Sequence, residues 1–74
     1  MRTLQSLQPG QKGLVRQILA QGSMRRRLLD LGMTENTEVT CLGRSPAGDP
    51  SAYLIRGAVI AIRARDSEKV RLWD

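Results

Sequence analysis

The residues of this 74-residue chain best equipped for chemistry are its arginines, and their densest run is Arg25-Arg26-Arg27. Histidine is absent, which removes the commonest general base and the commonest transition-metal ligand together. Cys41 is the only cysteine, so no internal disulfide and no cysteine-based metal site can form within one chain. With no imidazole to activate it, its thiol reads as a small packed side chain on the same alternating face as Val39. The carboxylates are scattered. No P-loop sequence and no carboxylate pair suited to acid–base work accompanies them. Neither catalysis, nor a cofactor, nor a tightly held metal ion is therefore expected. Twelve Lys and Arg against seven Asp and Glu leave a net charge of +5. A mostly guanidinium charge suits acidic protein surfaces, phosphates or nucleic acid.

The arginine run must be positioned by the stretch Gly22 to Met33, where apolar residues recur at helical spacing. Met24, Leu28 and Leu31 fall at i, i+4 and i+7, and Leu29 widens the face, which predicts a helix over about 23–31. Ser23 is the expected cap, and Gly32 is the expected terminator in the left-handed conformation. Three guanidinium groups cannot be desolvated without acids, and only Asp30 lies one turn away, from Arg26. Arg25, Arg26 and Arg27 thus form either a solvated face or a docking site.

The rest of the chain reads mainly as β-structure. Thr3 to Leu7 suggests one coiled turn that lids the core, before a turn at Pro9-Gly10. Gly13–Leu19 and Glu38–Gly43 read as strands, with Asn36 as the residue between helix and strand best able to adopt positive φ. The Ser45–Ser51 loop leads to a third strand, Ala52–Arg56, and Gly57 marks a tight turn. The near-continuous apolar run of Ala58–Arg63 predicts a fourth strand buried on both faces and central in its sheet. One helical turn over Arg65–Lys69, with Asp66 as cap, precedes a last strand at Val70–Leu72. Five short strands and one inserted helix favour a small SH3-like β-barrel, with an open sheet covered by a helix as the alternative. A chain this short is expected to form one domain over 1–74 with a thin core. No apolar run suits a signal peptide or a membrane span, so a soluble protein of a reducing cytoplasm is expected.

Four segments, in order, resemble the ferrous iron transport protein A (FeoA) family: Leu7-Gln8-Pro9-Gly10, Arg27-Leu28-Leu29-Asp30-Leu31-Gly32-Met33, Pro46-Ala47-Gly48-Asp49-Pro50, and Gly57 through Arg63. The resemblance covers almost the whole chain. It implies an SH3-like barrel in the bacterial cytoplasm, accessory to a large membrane transporter of Fe2+ with a cytoplasmic G-protein domain. Such a protein would reach the inner membrane only through its partner. Transition-metal binding is implied for the family without a residue assigned to it here. Similar domains end iron-dependent repressors, but this chain has no DNA-binding part. Where the family usually has proline-glycine after the helix, this chain has Glu35-Asn36, and asparagine is the best non-glycine substitute for positive φ.

Two functions of different class follow. In the first, Arg25, Arg26, Arg27 and Asp30 on the helix, with Pro46, Gly48, Asp49 and Pro50 on the loop, contact the transporter; Met24, Leu28, Leu31, Gly32 and Gly57 are structural. Asp49 has a competing structural role, accepting hydrogen bonds from nearby backbone amides while Pro50 fixes the loop exit. The alternative is a nucleic-acid-binding small barrel that uses its basic helix. Tyr53 and Trp73 are the only aromatic residues, which disfavours single-strand recognition, although a duplex-backbone binder needs none.

Overall fold

A computed structural model describes residues 2–73. A 3-10 turn at Leu4–Ser6 is followed by β1 (Lys12–Ile18), α1 (Gly22–Asp30), β2 (Glu38–Arg44), β3 (Ser51–Ile55), β4 (Ala58–Ile62), α2 (Ala64–Ser67) and β5 (Val70–Leu72). The strands form one antiparallel sheet in the order β4-β3-β2-β1-β5. Two irregularities curve it. β1 pairs with β2 through Lys12–Leu14 and with β5 through Val15–Ile18, its register shifting between Val15 and Gln17. A second shift falls in β2 between Cys41 and Gly43. Extra residues at such shifts bend a strand and raise its twist, which rolls the sheet into a small SH3-like barrel.

The alternating strand residues fill the interior: Val15, Val39, Cys41, Tyr53, Ile55, Val70 and Leu72 are buried, and Leu4 and Leu7 close one end. Cys41 and Val39 share the inward face, as expected, and the thiol is free. The Tyr53 hydroxyl donates to the Leu4 carbonyl at 3.2 Å, tying the lid to β3.

α1 ends as its sequence predicts. Gly32 has φ +92, its amide bonds the Leu29 carbonyl at 2.9 Å, and the Met33 amide bonds the Leu28 carbonyl at 3.0 Å. This double closure is the Schellman arrangement, and the accompanying apolar pair is Leu28 with Met33, both buried. The other end differs from expectation. Gln21 occupies the cap position and makes no side-chain capping bond, while Ser23 lies inside the first turn. The chain enters the helix through Gly22 at φ +64, a conformation glycine adopts without a Cβ penalty, and this shifts the start by one residue. Leu28 is core, Met24 packs against the core from its edge, and Leu31 is half-buried, not a core residue.

Two further corrections concern the C-terminal part. β4 is an edge strand, not the central one: only Ile62 is buried, and Val59 is 63% exposed. An unbroken apolar run signals burial on both faces only when the fold supplies neighbours on both sides, and β4 has one. Asp66 is not the cap of α2. Arg63 holds that position without a capping bond, and the acceptor comes instead from the Ser45–Ser51 loop. Among the described residues, no helix is long and apolar enough to cross a membrane.

Candidate docking groove beside the edge strand

The two edges of the sheet are treated differently. The outer side of β5 is covered: Thr3 bridges Arg71, and the Leu72 amide bonds the Arg2 carbonyl at 3.0 Å. β4 pairs with β3 alone. The strands meet through the two-residue turn Arg56-Gly57, both at positive φ (48 and 81), as type I′ hairpins require. Ile55 and Ala58 flank this turn and form a hydrogen-bonded pair, so Tyr53–Ile60 and Ser51–Ile62 are bonded too. In the intervening pairs Leu54–Val59 and Ala52–Ala61, the β4 partner turns its N–H and C=O away from β3.

A groove of about 330 Å³ runs along this edge. Its floor is apolar, with Met24 and Leu28 of α1 and Leu31 just beyond the end of that helix facing Ile60 and Ile62 of β4. Arg27, Arg63 and Arg65 stand on its rim, all exposed, and Asp66 is the only acid among the described residues that line it. Among the described residues the only ion pair is Lys12 with Glu38 at 3.9 Å, so none of the three rim guanidinium groups is neutralised by a carboxylate.

The residues singled out from sequence divide around this groove. Arg27 and Pro50 line it. Arg25, Arg26 and Asp30 border a separate shallow depression with Gly22 and Leu29, and Arg26 and Asp30 form no ion pair. Arg25 is not a purely solvated cation: its Nη1 donates to the Ile18 carbonyl at 2.9 Å, fastening α1 to the end of β1. Pro46, Gly48 and Asp49 lie on the exposed loop beyond the groove. Asp49 does accept a backbone hydrogen bond, but from the distant Ala64 amide at 2.8 Å, so it anchors the loop to the first turn of α2, the segment carrying Arg63 and Arg65. Arg56 at the hairpin turn fixes the end of α1, its Nε donating to the Gly32 carbonyl at 2.9 Å and its Nη2 to Thr37 Oγ1 at 3.1 Å.

Sequence reasoning did not single out Ile60, Ala61, Arg63 and Arg65, which line this groove. Their signal was the apolar run closed by arginines. Among the described residues no three His, Cys, Asp or Glu groups gather where they could hold an ion. The two aromatics differ in exposure, Trp73 being 41% exposed. Tyr53 is fully buried, and the Trp73 ring sits 4.9 Å from the Arg16 guanidinium while its Nε1 donates to Asn36 Oδ1 at 2.9 Å.

Comparison with known proteins places this geometry in context. Residues 2–72 match the FeoA domain model. The solution structure of the Chlorobium tepidum FeoA protein is similar at 28% identity and a TM-score of 0.90, covering 96% of this chain and 68% of that one. The zinc-complexed FeoA of Stenotrophomonas maltophilia, described as a procaryotic SH3 domain protein, shares the fold at 24% identity and a TM-score of 0.86, covering 97% of this chain and 89% of that one. A manganese-dependent transcriptional repressor shares the fold at 19% identity and a TM-score of 0.85, covering 97% of this chain but 40% of its own. No curated protein sequence matches the chain.

Proposed function

The chain belongs to the FeoA family, which is associated with ferrous iron transport, and on that premise we propose that it is a non-enzymatic accessory protein of Fe2+ uptake. In this reading it works in the cytoplasm, docking on a membrane Fe2+ transporter that carries a G-protein domain. The observation that carries it is the apolar groove beside β4 with three unneutralised arginines on its rim. Burying that floor against a partner supplies affinity, and the guanidinium groups select an acidic face and speed its encounter. The loop from Pro46 to Pro50, with Gly48 and Asp49, is the outer rim of the same surface, whereas Arg25, Arg26 and Asp30 lie on the other side of α1 and are not part of this contact.

The test is a charge reversal at the rim. Arg27→Glu with Arg65→Glu touches no core residue, so the melting temperature should hold within a few degrees. The variant should lose co-sedimentation with vesicles containing the transporter and fail to support Fe2+ uptake. Normal binding and uptake by the folded variant would refute the docking surface. Binding of the unaltered protein to duplex DNA, falling steeply with salt and abolished by the reversal, would establish the nucleic-acid reading instead.

A further inference from the structure

Resting on that docking reading, we infer that the partner binds by strand addition: an extended segment with alternating apolar residues and carboxylates pairs with the free edge of β4. Three observations carry this.

First, β4 has none of the devices that normally blunt an edge. Ala58-Val59-Ile60-Ala61-Ile62 contains no charge and no proline, and its pairing with β3 runs without a bulge. β5, by contrast, has its outer edge covered by Arg2 and Thr3. Second, the hairpin phase aims the N–H and C=O of Val59 and Ala61 outward, and two such residues on alternate positions are what an incoming strand needs. Third, the groove lies where the inward side chains of that strand would fall. The inward residues of β4 are Ile60 and Ile62, and a strand added about 4.8 Å further out would place alternate side chains over Met24, Leu28 and Leu31. Apolar groups suit that floor, and carboxylates suit Arg27, Arg63 and Arg65 at the rim.

Charge also chooses the occupant. A second copy joined antiparallel through β4 would bring Arg63 of each strand to the Arg56-Gly57 turn of the other, setting like charges against each other across the new pair. An acidic segment meets no such opposition.

The experiment uses the full chain, labelled for amide NMR, and a seven-residue peptide alternating valine with glutamate. Binding should slow hydrogen exchange at Val59 and Ala61. N-methylation of the peptide amides that face β4 should weaken it about tenfold or more, since a strand without those donors cannot complete the ladder. On the protein, Val59→Pro removes an outward donor without breaking a bond to β3, and Val59→Glu is a second variant that keeps the backbone intact and sets a like charge against the glutamates of the peptide; each should weaken peptide binding while the remaining amide spectrum stays dispersed. Shifts in the groove without protection of Val59 and Ala61 would overturn strand addition, as would equal affinity for a valine–lysine peptide. Protection that appears with rising protein concentration in the absence of peptide would make a second copy the occupant and overturn the acidic segment. Two outcomes separate this inference from the reading beneath it. Transporter vesicles that bind both Val59 variants normally would sink strand addition and leave the transporter standing. Strand addition of the peptide, with no binding to transporter vesicles, would do the reverse.

Discussion

Replacing Gly32 by alanine probes how the end of α1 is held. Gly32 has φ +92, and a Cβ there would lie 2.5 Å from Arg56 Cδ and 2.8 Å from its Nε. A left-handed conformation costs alanine about 1–2 kcal/mol. A flexible arginine would ordinarily swing aside, but Arg56 is held by the Gly32 carbonyl at 2.9 Å and Thr37 Oγ1 at 3.1 Å, so moving it gives up those bonds. Their net loss at a partly exposed site is about 1 kcal/mol. The expected total is about 2–3 kcal/mol, which at about 4–8 °C per kcal/mol is a fall in melting temperature of about 8–24 °C. Urea unfolding followed by Trp73 fluorescence measures it. The decisive comparison is a double-mutant cycle: with Arg56→Ala already in place, Gly32→Ala should cost only the backbone contribution, leaving a coupling of about 1 kcal/mol. Equal costs in both backgrounds would refute the clamp, and an unchanged midpoint for the single variant would refute the helix ending itself.

Leu28→Ala should destabilise by about 2–5 kcal/mol in thermal unfolding, because Leu28 is core; Leu31→Ala, half-buried at the groove, should cost under half as much and show its main effect in partner binding. Asp49→Ala should cost about 0.5–2 kcal/mol, as removal of a helix cap does, with faster amide exchange at Ala64 as the specific signature. Burial raises the Tyr53 pKa above its ordinary 10.0, so the folded state holds that proton longer than the unfolded chain; stability should be intact below pH 10 and fall as pH rises through the folded pKa. Tyr53→Phe should flatten that alkaline decline in chemical denaturation while losing the bond to Leu4.

The features legible in the sequence were those fixed by local chemistry. Gly32 ends the helix because the left-handed residue and the carbonyls it caps lie within one turn of each other, and Asn36 takes φ 68 for an equally local reason. The strands were read from branched and alternating residues and, for β4, from an unbroken apolar run. What failed depended on distant parts of the chain. Asp49 finds its donor at Ala64, and Arg25 finds Ile18, through contacts that exist only after the barrel closes. β4 misled for a different reason: five apolar residues in a row report an apolar surrounding but not whether this chain or a partner provides it. Of the residues singled out in advance, Arg27 came from the arginine run and Pro50 from the resemblance, and both line the groove, whereas Arg63 and Arg65 required the placement of α2 beside it.

The double pairing of β1 bears on how the chain is made. Ile18 pairs with Val70, so the second half of β1 must wait for the last strand to be synthesised. At about 5–20 residues per second that delay is about 3–10 s, far longer than the microseconds a hairpin such as β3–β4 needs to form. The Val15–Ile18 segment therefore stays an open edge until Val70–Leu72 is made, whereas β3 and β4 can pair without it.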